Sequence, residues 1–102
     1  MSVTIFIDTS DQDTAKVALQ IGRKRYEKSS QSRVMKAQMV LPLIEALLGD
    51  QAKKLVDIKE IHVVTGPGSY TGLRVGVAVA NALATFLGVA VNGRRRIEEL
   101  QY

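Results

Sequence analysis

The stretch "IHVVTGPGSYTGLRVGVAVANALATFLGVAVN" limits what this chain can fold into more than any other. A β-branched run, Ile61 to Val64, enters a turn carrying Gly66, Gly68, Gly72 and Gly76. Val75 to Val91 then holds seventeen residues without a charge, flanked by Arg74 and Arg94. Strand, glycine-rich turn, helix is an α/β arrangement that presents backbone N–H groups at a helix start. The spacing predicts a helix from about Thr71 to Leu87, stopped by Gly88, with "VAVN" as a short strand. So divided, the helix is too short for the ~17–25 apolar residues of a membrane span.

Upstream, "VTIFID" (Val3 to Asp8) is β-branched and aromatic throughout and predicts a strand buried on both faces. "TAKVALQI" alternates, with Ala15, Val17, Leu19 and Ile21 on one face. "GRK" reads as a hairpin turn into a short strand around Arg25 to Lys28, and "SSQSR" as a polar loop. From Val34 to Leu48 the period becomes helical: Val34, Ala37, Leu41, Ile44 and Leu48 form a stripe, Pro42 should kink it, and Gly49 should end it. "DQAKKLVDIKE" is a helical turn and connector. The expected order is strand, strand, strand, helix, strand, helix, short strand, within one domain of 102 residues.

The residue inventory narrows the chemistry. There is no cysteine, which removes disulfides, thiolate metal sites and cysteine nucleophiles. A single histidine, His62, argues against a histidine metal cluster or a serine–histidine triad in this chain. The glycine-rich loop is not a Walker A motif, since no Lys-Ser or Lys-Thr pair follows, and its spacing is not G-x-G-x-x-G. Gly66, Pro67, Gly68, Ser69, Tyr70, Thr71 and Arg74 form a candidate anion-binding loop. A tight structural turn capped by Ser69 or Thr71 fits the same residues better. Asp8, Asp11 and Asp13 could hold Mg²⁺, but three acids in a turn are more often turn formers. Fourteen basic against ten acidic residues give a net charge of +4, concentrated in "GRKRYEK" and "GRRR" and compatible with work on RNA. "MSVTIFIDTSDQD" has no secretory pattern, so a cytoplasmic protein with no membrane partner is expected.

Both helices carry more apolar surface than one small sheet can hide. Gly72, Gly76, Ala80 and Ala84 recur every fourth residue, which makes one face flat enough for another backbone to approach. Six such side chains left in water would forgo about 10 kcal/mol, at ~1.5–3 kcal/mol each. A partner surface is therefore expected. Its candidate residues are Val34, Met35, Met39, Leu41, Pro42 and Glu45 on the first helix, and Gly72, Leu73, Gly76, Val77, Ala80, Asn81 and Ala84 on the second.

"FIDTS", "MVLPLIEALL" and above all "TGPGSYTGLRVGVAVANALA" resemble the N-terminal lobe of the TsaB (YeaZ) family, over nearly all of the chain. The resemblance implies an actin-like (ASKHA, ribonuclease H-like) α/β lobe with a mixed sheet of about five strands and two main helices. It also implies that residues 1–102 lack the family's second lobe. By the same resemblance the chain is a non-catalytic subunit with no cofactor and no metal of its own. It would dimerise with the catalytic subunit TsaD, which transfers the threonylcarbamoyl group of an ATP-derived threonylcarbamoyladenylate to adenosine 37 of tRNA (t6A). The ATPase TsaE is a further candidate partner, and a homodimer would bury the same helices. Direct tRNA contact through Arg94, Arg95 and Arg96 is left open. The alternative from another class is a minimal nucleotide-binding ATPase or phosphotransferase of the actin-like superfamily, using "DTS" and "GPGS" as phosphate loops.

Overall fold

The computed structural model of the chain describes residues 2–31 and 36–101. Strands β1 (Val3–Asp8), β2 (Thr14–Ile21) and β3 (Lys24–Gln31) precede helix α1 (Lys36–Asp50). After a 3₁₀ turn (Leu55–Asp57) come β4 (Ile58–Val63), α2 (Tyr70–Leu87) and the two-residue β5 (Ala90–Val91). The sheet order is β3-β2-β1-β4-β5. β1, β2 and β3 pair antiparallel, while β1 with β4 and β4 with β5 pair parallel. This is the expected mixed five-stranded sheet with two helices.

α1 packs on β2 and β3, α2 packs on β4, β1 and β5, and the two helices touch. One face of the sheet is thereby covered. Val3, Ile5 and Ile7 of β1, Ala15, Val17 and Leu19 of β2, and Ile61 and Val63 of β4 meet Val40, Ile44, Leu47, Ala80 and Ala84 in one core. The alternation expected for β2 places its residues on that face. The expectation that β1 is buried on both sides fails: Thr4, Phe6 and Asp8 are only half-buried. They face the uncovered side, where Phe6 stacks on His62 (centroids 5.2 Å apart) and the Arg25 guanidinium lies 4.4 Å above the Phe6 ring. Phe6 in β1 therefore serves this half-open stack, not a second buried layer.

Local chemistry sets the element ends. Ile21 pairs with Lys24 across a two-residue turn with Gly22 at φ 61. β3 then runs on through Ser29, Ser30 and Gln31, part of the stretch expected to be loop. Each of these pairs with β2, from Ser29 opposite Lys16 to Gln31 opposite Thr14, and ladder bonds to a neighbour override the low strand propensity of serine. α1 is continuous through Pro42, whose missing N–H leaves the Gln38 carbonyl without its helical donor. Gly49 does not end α1. The stop lies three residues later, where Ala52 sits at φ 56, Ala52 N bonds Gly49 O (3.1 Å) and Lys53 N bonds Leu48 O (2.8 Å). That is a Schellman closure with alanine in the left-handed position. Gly88, at φ 68, does end α2 as expected.

The expectation that this helix is too short to span is not met, because α2 begins at Tyr70 and is, by length and composition alone, long and apolar enough to cross a membrane. Gly72, Leu73, Gly76, Val77, Ala80, Leu83 and Ala84 of this helix are buried, and it packs against the chain's own sheet.

Candidate interaction face and glycine-rich loop

The glycine-rich loop is built from contacts within the chain. Ser69 caps α2: its Oγ accepts from Gly72 N (3.2 Å), and its carbonyl accepts from Leu73 N (2.9 Å). Ser69 N donates to Ser10 O (2.9 Å), tying the loop to the turn after β1. Gly68 lies so close that a Cβ there would stand 2.7 Å from Ser10 Cβ. Gly66 lies against Gln101, whose N donates to Thr65 O (2.9 Å). Arg74 turns back on its own helix and donates from Nη1 to Tyr70 Oη (2.8 Å). Thr71 is exposed within the first turn. Of the candidate anion-loop donors, Ser69 N and Gly72 N are thus engaged inside the protein, which favours the structural-turn reading.

The acids of the preceding turn behave likewise. Asp8 Oδ1 accepts from Ser10 N (3.0 Å) and Ser10 Oγ (2.6 Å), and Asp11 Oδ1 accepts from Asp13 N (2.8 Å). Short acidic side chains bonding the backbone two residues on are turn formers. Among the described residues no group of three or more His, Asp or Glu side chains could hold a metal ion.

The small-residue stripe of α2 points inward, not toward a partner. Gly72, Gly76, Ala80 and Ala84 are buried, together with Leu73 and Val77. The reason is steric. A Cβ on Gly76 would collide with Thr9 Oγ1, with Val63 and Ile7 methyls next at 3.4 and 3.5 Å. Thr9 itself is fully buried and donates from Oγ1 to Gly72 O (2.5 Å). The flat face lets the helix backbone settle on the chain's own β1 and β4, so these six residues are corrected from docking surface to core. Asn81 is also engaged internally: Nδ2 donates to Ile97 O (2.9 Å) and Oδ1 accepts from Ile97 N (2.8 Å). Met39 is half-buried against the core. Val34 and Met35 lie outside the described residues.

What α1 and α2 do present to solvent is a different set. Leu41, Pro42, Glu45 and Ala46 are exposed on α1, and Arg74, Ala78, Ala82, Thr85 and Phe86 on α2. Phe86 is 78% exposed, and Leu41 is 37% exposed. Ala78, Asn81, Ala82, Thr85, Phe86 and Arg96 line a shallow hollow of about 570 Å³. Leu41, Pro42 and Glu45 were anticipated from sequence. Ala46, Ala78, Ala82 and Phe86 were not. Positions 74, 78, 82 and 86 form an i, i+4 row beginning at a charged residue, which was the available signal that this row faces water.

Residues 34–95 match the family model described as TsaD: tRNA N6-adenosine threonylcarbamoyltransferase. The chain is 38% identical over 60 residues to the tRNA threonylcarbamoyladenosine biosynthesis protein TsaB of Bacillus subtilis, a match over 59% of this chain and 26% of that protein. It is 45% identical over 51 residues to the tRNA N6-adenosine threonylcarbamoyltransferase of Chromobacterium violaceum, over 50% of this chain and 15% of that one. The fold superimposes on YeaZ from Pseudomonas aeruginosa with a TM-score of 0.82 at 30% identity, covering 89% of this chain and 42% of that chain. The chain thus spans less than half the length of the relatives it matches.

Proposed function

The chain belongs to the TsaD family and, within it, is a relative of TsaB/YeaZ, and from that premise we propose that it is a non-catalytic subunit which docks onto a TsaD-type catalytic subunit. In that role it would support threonylcarbamoyl transfer to tRNA, the chemistry named for its relatives. The observation that carries the reading is the outer face of the paired helices. Leu41, Pro42 and Ala46 of α1 and Ala78, Ala82 and Phe86 of α2 are exposed on two helices that touch each other and cover the same sheet. Small side chains flanking large ones make a surface onto which another helix pair can pack with its axis ~8–10 Å away. Covering the exposed part of Phe86 would contribute about 1–2 kcal/mol and that of Leu41 about 0.5–1 kcal/mol, scaling ~1.5–3 kcal/mol for a whole side chain by the fraction still in water. Glu45 of α1 and Arg74 of α2 are likewise exposed, and charges at the edge of an interface set orientation more than affinity.

The test is co-purification with the host's TsaD-type protein and measurement of threonylcarbamoyladenosine in tRNA. Phe86→Asp combined with Ala82→Arg should abolish the complex and the modification, while the free chain keeps its circular dichroism and urea midpoint. Normal complex formation by this folded variant would refute the assignment.

A further inference from the structure

Beyond docking, we infer that the arginine run Arg94–Arg96 is a preformed contact for an RNA sugar–phosphate backbone. The choice of RNA over other polyanions rests on the functional reading above; the cationic geometry does not.

Both ends of the run are anchored. On one side, Asn92 (φ 51) and Gly93 (φ 74) make the two-residue turn that matches strand twist. Across that turn Val91 N donates to Arg94 O (2.8 Å) and Arg94 N donates to Val91 O (2.9 Å). The turn is fastened to β4 by the Asn92 side chain, which bonds Val63 N (2.8 Å) and Val63 O (2.9 Å). On the other side Ile97 is 8% exposed and its backbone is gripped at both polar atoms by the Asn81 amide of α2. Three arginines are therefore held between two fixed points. The backbone has little freedom left to lose on binding, which removes one of the main costs of association.

The side chains themselves are uncommitted. Arg94, Arg95 and Arg96 are all exposed, and among the described residues none forms an ion pair, although Glu98 and Glu99 follow directly. With Thr85 and Glu98 they line an open hollow of about 580 Å³. Arg96 also borders the hollow that contains Phe86, while Arg94 and Arg95 line the neighbouring one instead, so the run reaches the proposed docking face at one end and leads away from it at the other. Guanidinium forks suit phosphate oxygens, which they can bond in pairs. A folded loop that displays three of them in sequence, at the edge of a protein–protein face, is placed to touch a polyanion held by the partner.

The experiment uses the whole chain without its partner, so its outcome is independent of docking. Fluorescence anisotropy with labelled unmodified tRNA is followed between low and moderate salt, for the wild type and for Arg94→Ala/Arg95→Ala/Arg96→Ala. Each phosphate neutralised contributes ~0.7–0.9 to the slope of log K against log salt, so three contacts give a slope near 2–3. The alanine variant should lose at least tenfold in affinity at low salt and most of that slope, with an unchanged urea midpoint. Replacing all three with lysine should restore much of the binding. An unchanged slope in the alanine variant would overturn the inference, as would absence of tRNA binding by the wild type. Tighter binding to polyglutamate than to tRNA would also overturn it and assign the run to an acidic protein segment.

Discussion

Replacing Gly76 with alanine is the sharpest test of how this lobe is held together. On propensity alone the change should help, because alanine is better than glycine inside a helix by ~1 kcal/mol. The structure predicts the reverse. The new methyl would occupy the space of Thr9 Oγ1, and Thr9 has nowhere to go, being fully buried and bonded to Gly72 O at 2.5 Å. Forcing an extra carbon into a packed core costs ~1–3 kcal/mol. Turning the hydroxyl away strands a buried polar group at a further ~1–3 kcal/mol. Taking mid-range values and subtracting the propensity gain leaves a net loss of about 3 kcal/mol. With a urea slope near the low end of ~1–3 kcal/mol per molar, the unfolding midpoint should fall by about 2 M. Thr9→Ala alone removes the bond and should cost ~1–2 kcal/mol. Combined with Gly76→Ala it also removes the clash. The double variant should then be more stable than the sum of the single effects by at least ~1 kcal/mol, as neighbours sharing one space behave. If Gly76→Ala unfolds at the wild-type midpoint or above, or if the two changes simply add, the account of α2 docking by its small-residue stripe is wrong.

Two other predictions concern backbone geometry. Ala52→Gly should raise the stability by about 1 kcal/mol, read as a higher urea midpoint at unchanged slope, because alanine in the left-handed C′ position carries a penalty that glycine does not. Asn92→Ala should cost roughly 2–3 kcal/mol, since it loses both bonds to Val63 and places alanine at φ 51. Asn92→Gly should recover about 1 kcal/mol of that by relieving the turn without restoring the bonds.

Much of the lobe was legible because its signals were periodic. The alternation of Ala15, Val17 and Leu19 and the sequence of elements follow from residue spacing, and Ser69 was one of two caps the loop offered, with Thr71 the other. The orientation of α2 was not legible. A stripe of glycine and alanine fits a close approach to any backbone, and nothing in the stripe itself says whether that backbone belongs to a partner or to the chain's own sheet. Thr9 decides it, sixty-three residues away from Gly72 in sequence. The helix end at Ala52 was hidden for a related reason: glycine is the usual left-handed residue, and Gly49 drew the boundary early. The Asn92–Gly93 turn was available in the sequence as an Asn-Gly pair, yet it follows so short a strand that no alternating run marks it as a hairpin.

The Asn92 carboxamide has one more effect. Its oxygen and nitrogen meet the N–H and carbonyl of Val63, the groups of β4 left uncovered where the two-residue β5 stops, while the outer side of Val91 is met by Arg94. A side chain thus plugs that border of the sheet, while the opposite border, β3, bristles with Lys24, Arg25, Glu27 and Lys28. Ribbon-to-ribbon growth is discouraged at both margins. What the margins withhold is lateral strand addition, so contact with another chain is left to the two faces of the layer, helical or open, and not to an open-ended fibre.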